Sequence, residues 1–183
     1  MNYKDIPSFT PDGNYRVDVP WDYLKESMLR YQETASDGTG ALDLNPDFQR
    51  GHVWDRDKQI AFIEFMLRGG KSARTIYLNH PNWMKDFKGD FVLVDGKQRL
   101  TAAIGFMDNQ IPVFGGHFFK DIEGRLSSSV SFSICINNLQ TRAEVLQWYL
   151  DLNTGGVVHT TDEIEKVKNL LKDEKQKISK LDT

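Results

Sequence analysis

The chain has 183 residues, of which 39% are hydrophobic and 11% aromatic, and its formal net charge is −3 at pH 7. This composition excludes a wholly disordered chain, because it supplies enough apolar side chains for a packed core. It also excludes a strong overall positive field, so nucleic-acid binding would have to depend on a local patch or on a partner chain.

Membrane spans, secretory signals and the number of cysteines restrict the possible class of protein further. No apolar run approaches the roughly 18 residues that a membrane-spanning helix needs, and the N-terminal segment lacks the apolar stretch of a secretory signal. Cys135 is the single cysteine, which excludes an intramolecular disulfide and a cysteine-rich zinc site. We therefore expect a cytoplasmic protein that does not bind membranes.

The N-terminal quarter is predicted to be a loop followed by one helix. Residues 1–19 contain Pro11 and Gly13 and are assigned to the loop. A helix is predicted from Pro20 to about Tyr31, and residues 33–40 are predicted to be a polar, mobile loop. The helix prediction depends on apolar residues at helical spacing, which are Trp21, Leu24 and Met28.

The middle of the chain combines short strands with a wide-faced helix. Residues 42–44 are predicted to be a short strand. Asp55 is predicted to be the N-cap of a helix that ends at Gly69 and Gly70. Residues 74–79 and 90–94 are predicted to be two strands. The second of them is a short apolar run, which indicates a strand covered on both faces.

After the Asp95–Gly96 turn the pattern again alternates between helix and strand. A helix is predicted directly after the turn, followed by a hairpin formed by residues 111–114 and 117–119. Residues 130–136 alternate in polarity, which predicts a strand with Cys135 packed on the face opposite the apolar side chains. Helices are predicted over 141–152 and over 160–178, the second with Thr160 and Glu163 as a capping box.

These elements predict an α+β fold with a small mixed β-sheet and packed helices. Three regions are expected: an N-terminal loop and helix (1–41), a nucleotide-binding core (42–160) and a C-terminal helix (161–183). The last helix carries an apolar stripe, which either core packing or the pairing of two chains into a homodimer would explain. The stripe comprises Ile164, Val167, Leu171 and Ile178.

The most informative segment is 91–107, where a buried strand leads through a glycine turn into a helix. The first turn of a helix favours a phosphate, and Gly96 has no side chain to keep a phosphate away. Lys97 and Arg99 add positive charge, Asp95 could hold Mg²⁺ or orient a water, and Gln98 could position a water or read a base. The alternative is an ordinary strand–turn–helix unit with a surface lysine and arginine.

Two other segments have the composition of a binding loop. In PDFQRGHVW (46–54), Arg50 could reach a phosphate while Phe48 or Trp54 stacks on a base, although an aromatic-anchored surface loop explains the same residues. In DLNTGGVVHT (151–160), a nest of backbone N–H groups could hold an anion, although a glycine C-cap followed by an N-cap explains it equally. The four histidines have no metal-ligand spacing.

In combination, the strings QRGHVW, VDGKQRLTA about 40 residues later and LNTGG near the end resemble the N-terminal domain of GmrSD-type modification-dependent restriction endonucleases, of the ParB/sulfiredoxin-like superfamily. The resemblance covers roughly residues 42–165. Its most specific string is DGKQRLTA, in which Lys97 stands where the family usually has a glutamine.

The resemblance implies a nucleoside-triphosphate pocket in a ParB/sulfiredoxin-like α+β fold, with a nucleoside triphosphate and Mg²⁺ as cofactors. The family's DGQQR segment is associated with triphosphate binding and hydrolysis, which marks Asp95, Gln98 and Arg99 as catalytic residues and Asp95 as the Mg²⁺ ligand. The predicted nucleotide-binding residues are Gln49, Arg50, Gly96, Lys97, Asn153, Thr154, Gly155 and Gly156.

The leading hypothesis is a Mg²⁺-dependent NTPase domain that serves DNA processing or phage–host conflict inside a bacterial cell or a phage-infected one. Its expected partners are a nucleotide, DNA, and a separate nuclease subunit or host defence protein. The resemblance implies that relatives usually carry an HNH-type nuclease domain as well, and no such pattern is visible in this sequence. Two alternatives are a non-catalytic regulator that binds DNA or protein, and a DNA nickase.

Overall fold

A computed structural model describes residues 2, 5–13, 15–37, 40–49, 54–124, 126, 130–153 and 161–181. Five strands form one mixed sheet in the order β1-β5-β3-β4-β2. The β1–β5 and β3–β4 pairs are antiparallel, while β3–β5 and β2–β4 are parallel. The strands are β1 (Tyr15–Pro20), β2 (Leu42–Asp43), β3 (Thr75–Asn79), β4 (Phe91–Asp95) and β5 (Ser131–Asn137).

Five α-helices in the described part of the chain pack on this sheet, which confirms the predicted α+β class. They are α1 (Leu24–Asp37), α2 (Arg56–Leu67), α3 (Lys97–Met107), α4 (Arg142–Asn153) and α5 (Thr161–Leu181). Asp55 is the N-cap of α2, as predicted, because its Oδ1 accepts a hydrogen bond from the Lys58 amide at 2.8 Å.

The sheet is covered on both faces, and β4 shows why its sequence is a continuous apolar run. Phe91 and Leu93 belong to a core shared with α1, α2 and α3, which we call the α1–α3 core. Val94 belongs to a second core shared with α4 and α5, which we call the α4–α5 core. Because successive side chains of a strand point to opposite faces, β4 contributes to both cores and must be apolar throughout.

The N-terminal region differs from the prediction at two places. Residues 15–20 were predicted to be mostly loop, but they form β1, which pairs with β5 at the edge of the sheet. The predicted end of the first helix at Tyr31 is also wrong, since α1 continues to Asp37. The extension is explained by Ala35, which is fully buried in the α1–α3 core. Tertiary packing thus keeps the last turns of α1 helical despite their polar composition.

The predicted hairpin is reduced to a single antiparallel bridge between Val113 and His117. The chain then enters a short 3-10 turn, Phe119–Asp121, instead of extending as a strand. The cause is packing, because the Phe119 ring lies edge-on to Phe106 of α3, with 5.5 Å between ring centroids.

The burial of Cys135 and of the α5 stripe bears on two interpretations of the sequence. Cys135 is buried, as predicted for a packing residue, and burial raises the pKa of its thiol. In the α5 stripe, Val167 and Leu171 are buried in the α4–α5 core, whereas Ile178 is 42% exposed. Core packing therefore explains the buried part of the stripe.

Homodimerisation stays a prediction, as do the region boundaries after residues 41 and 160. Within the described ranges, no helix has both the length and the apolar character needed to cross a membrane.

Candidate functional site

The turn between β4 and α3 has the geometry that the sequence predicted. Gly96 is the N-cap of α3 and has φ +107° and ψ 7°, a left-handed conformation that L side chains rarely adopt. Its carbonyl accepts the first helical hydrogen bond from the Leu100 amide at 2.9 Å. A Cβ at this position would lie 2.7 Å from Ile76 Cδ1 and 3.2 Å from Ile76 Cα, so both the backbone angle and the close approach of Ile76 favour glycine.

An ion pair spans the first turn of α3. Arg99 Nη2 contacts Asp95 Oδ2, with 15% of the arginine side chain and 31% of the aspartate side chain exposed. Asp95 is the last residue of β4, and its partner on the neighbouring strand β3 is Tyr77. Because a guanidinium has five N–H donors, Arg99 can contact Asp95 and still offer donors to a second anion.

The segment 46–54, of which residues 46–49 and 54 are described, contacts β4 and α3 on either side of the turn. The side-chain amide of Gln49 donates to the Leu93 carbonyl in β4. The Trp54 amide donates to Gln98 Oε1 at 3.1 Å. Two of the three segments singled out in the sequence are therefore joined at the turn that carries Asp95 and Arg99.

The Gln49 contact also completes the edge of β4. Strand β2 pairs with β4 only at Phe91 and Val92, so the next carbonyl, that of Leu93, has no strand partner on that side. The Gln49 amide supplies the hydrogen bond that a longer β2 would have supplied. A predicted binding residue thus has a structural role that positions its loop.

The aromatic residues of this segment are anchors. Phe48 is 4% exposed and packs edge-on against Tyr149 of α4, with ring centroids 5.3 Å apart. Of the two alternatives for Phe48, the structure therefore supports the aromatic anchor, because the ring is buried in the α4–α5 core. Trp54 is half-buried and packs against Phe62 of α2 at 5.3 Å.

Sequence reasoning missed a polar anchor on the same loop. Arg142, the first residue of α4, donates from Nη2 to both carboxylate oxygens of Asp47 at 2.8 Å. Lys166 of α5 donates to the Asp47 carbonyl at 2.9 Å. The arginine hydrogen bond is the main reason why the pKa of Asp47 is lowered. No linear signal could reveal this contact, because 95 residues separate Asp47 from Arg142.

Several predicted site residues lie outside the described residues. These are Arg50, Thr154, Gly155 and Gly156, together with the predicted N-cap Thr160. Asn153 is described, and its Nδ2 donates to the Tyr149 carbonyl one turn earlier in α4, at 2.6 Å. The convergence of the LNTGG segment with the β4–α3 turn therefore stays a prediction.

The residues that could hold a metal are few. No group of three or more histidine, cysteine, aspartate or glutamate side chains with ligand geometry occurs among the described residues. Mg²⁺ in nucleotide sites is commonly held by one or two carboxylates together with substrate phosphates. A single partly exposed carboxylate at Asp95 fits that mode of binding and does not fit an all-protein cage.

Comparison with known families adds an independent observation. The family model described as GmrSD restriction endonuclease, N-terminal domain, matches residues 32–180. The chain belongs to this GmrSD N-terminal domain family. The match includes β4, α3 and the 46–54 segment, and it associates the chain with a restriction-type defence system. No curated protein and no solved structure matched the sequence.

Proposed function

We propose that this GmrSD N-terminal domain binds a nucleoside triphosphate at the N-terminus of α3 and hydrolyses it in a Mg²⁺-dependent reaction that serves restriction-type defence. The observation that carries the proposal is the pair of hydrogen bonds from Gln49 and Trp54 to β4 and α3. They join two polar segments, distant in sequence, at one glycine turn that is flanked by a cation and a carboxylate.

Each residue of the turn has a chemical reason to be there. Gly96 permits close approach of a phosphate to the first turn of α3, where backbone N–H groups and the helix dipole favour negative charge. Lys97 and Arg99 would neutralise the phosphates, increasingly so as charge develops in the transition state. Gln98 would position the attacking water, and Arg50 would contribute a further cation from the 46–54 segment.

Asp95 is the residue that would hold Mg²⁺ in this proposal. When bound, the ion would supply charge neutralisation at the phosphate oxygens. In the structure Asp95 is held by Arg99, which fixes its carboxylate at the end of β4. The nucleotide phosphates and the Asp95 carboxylate would then both bind Arg99. The contact with Asp95 keeps the Arg99 guanidinium directed toward the turn.

Removal of the guanidinium tests nucleotide binding. Arg99→Ala is expected to weaken the binding of at least one common nucleoside triphosphate by about 10–100-fold in calorimetry, because hydrogen bonds to charged groups contribute about 1.5–3 kcal/mol. Arg30→Ala is the matched control, since Arg30 pairs with Glu26 on the exposed face of α1. Equal affinity of wild type and Arg99→Ala would place the nucleotide elsewhere.

Removal of the carboxylate tests hydrolysis. Asp95→Ala is expected to lower phosphate release by about 100-fold or more, because the Mg²⁺ ligand is lost. Triphosphate binding without Mg²⁺ is expected to persist, since Arg99 gains a free donor. The measurement is phosphate release with each of the four common triphosphates. If wild type binds a triphosphate but releases no phosphate from any of them, the hydrolysis part of the proposal fails.

A second candidate function, DNA binding, is favoured by one surface of α5. Lys168, Lys172 and Lys175 recur at i, i+4 and i+7, so they share one face of the helix, and all three are exposed. None of these three ammonium groups makes an ion pair within the part of the chain that is described. The net charge of −3 disfavours binding by the whole surface, so this lysine stripe would have to supply the phosphate contacts.

Salt dependence tests this candidate. The triple variant Lys168→Gln, Lys172→Gln, Lys175→Gln is expected to bind duplex DNA more weakly, and its slope of log affinity against log salt should fall by about 3, or roughly one per lost phosphate contact. A triple variant of Lys58, Lys71 and Lys85 has the same net charge and is the control. Identical slopes for both variants would exclude the α5 stripe as the contact surface.

A further inference from the structure

A groove runs along α3, on the side that faces the segment after β2. Its volume is about 240 Å³, and we call it the α3 groove. Leu93 of β4 and Leu100 of α3 are buried beneath it, and the half-buried Ile104 continues the same apolar surface. No role in the proposed phosphate site uses these three side chains, although they lie directly beside it.

The rim of the groove is polar. Asn45, Thr101 and Gln110 line it, and all three are exposed. None of their side-chain amide or hydroxyl groups bonds another described group of the chain, so each is open to a ligand. An apolar floor with a few accessible donors and acceptors around it is the usual construction of a small-molecule pocket.

The position of the groove relates it to the proposed phosphate site. Lys97 lines one end, and this lysine is the first residue of α3, directly after Gly96. Thr101 and Ile104 follow at i+4 and i+7, so the groove extends from the helix N-terminus along one face of α3. A molecule with phosphates at the first turn could therefore continue past Lys97 into the groove.

The size of the groove limits what it can accept. About 240 Å³ is below the roughly 300–1,000 Å³ of pockets that enclose a whole drug-sized ligand. It suits a base with its sugar while the triphosphate stays outside. The amides of Asn45 and Gln110 each offer both a donor and an acceptor, as the edge of a base requires, and the leucine floor suits a flat ring.

We propose that the α3 groove is the nucleoside subsite, which takes the base and ribose of a triphosphate whose phosphates lie at the first turn of α3. This inference rests on the proposed function. It assigns base selection to Asn45, Thr101 and Gln110, and it assigns to Lys97 the junction between sugar and phosphates.

The test fills the groove without altering the phosphate site. Thr101→Trp places an indole in the groove, and Ala61→Trp, at an exposed position of α2, is the control for an added tryptophan. Affinities for the four common nucleoside triphosphates and for inorganic tripolyphosphate are measured by calorimetry. Thr101→Trp is expected to lower the affinity for the best-bound nucleoside triphosphate by about tenfold or more, and to leave the affinity for tripolyphosphate unchanged.

A second variant keeps the test valid if the tryptophan disturbs folding. The double truncation Asn45→Ala, Gln110→Ala adds no bulk, and it is expected to reduce the ratio between the best-bound and worst-bound triphosphate toward one. If both variants keep the wild-type affinity and the wild-type preference among the four triphosphates, the nucleoside subsite is overturned. The proposed function would still stand in that case. If wild type binds neither tripolyphosphate nor any nucleoside triphosphate, the proposed function fails and the subsite with it.

Discussion

Trp148→Ala is expected to lower the free energy of unfolding by about 3–5 kcal/mol, as measured by urea denaturation at 25 °C. Trp148 is fully buried in the α4–α5 core, and its ring meets Tyr77 of β3 edge-on at 5.7 Å. It therefore joins α4 to the sheet. Truncation would remove this contact and leave a cavity that rigid neighbours on both sides cannot fill.

The matched control is Trp148→Phe. The indole Nε1 of Trp148 is buried without a hydrogen-bond partner in the described structure, so replacement by phenylalanine removes an unsatisfied donor along with some apolar area. The cost of Trp148→Phe should be less than half that of Trp148→Ala. A loss below about 1 kcal/mol in the alanine variant would show that the α4–α5 core contributes little to holding the sheet.

The parts of the fold that were predictable are those encoded by local pattern. The apolar run of β4 predicted a strand covered on both faces, and Leu93 and Val94 indeed enter different cores. The N-cap at Asp55 and the glycine turn at Gly96 were also visible, because each depends on the chemistry of one or two adjacent residues.

The incorrect predictions have a common physical cause, because the structure of each of these segments depends on a partner that is distant in sequence. Strand β1 exists because it pairs with β5. Tyr15 of β1 is paired with Ile136 of β5, which lies more than 100 residues later in the chain. The last turns of α1 exist because Ala35 is buried, and the 117–119 segment leaves the sheet direction because Phe119 packs on α3. Tertiary contacts decide such segments, and propensity alone cannot reveal them.

The candidate site shows the same division. The order of the three motifs predicted the family, and the DG turn predicted where a strand meets a helix. The sequence could not predict that Gln49 bonds the Leu93 carbonyl, or that Asp47 is held by Arg142. It left the role of Phe48 open, because an aromatic residue near an arginine has the same local pattern whether it is a binding platform or a core anchor.

Gly96→Ala is expected to lower the free energy of unfolding by about 2–5 kcal/mol, the sum of two separate costs. The backbone angle φ of +107° is strained for any L residue. The new methyl would also lie 2.7 Å from Ile76 Cδ1 and 3.2 Å from Ile76 Cα, so the fully buried Ile76 side chain must move within a packed core. The measurement is urea denaturation, with triphosphate affinity determined on the folded fraction.

Two further variants separate these costs. Gly69 has φ +87° with open space around it, so Gly69→Ala should show the backbone cost alone, about 1–2 kcal/mol. Ile76→Val removes the Cδ1 atom, so the double variant Gly96→Ala, Ile76→Val should be more stable than the two single effects would sum to. Additive effects would mean that the methyl meets no steric barrier at Ile76 Cδ1. In that case the steric part of the cost would come from the β3 backbone, whose nearest atom is Ile76 Cα at 3.2 Å.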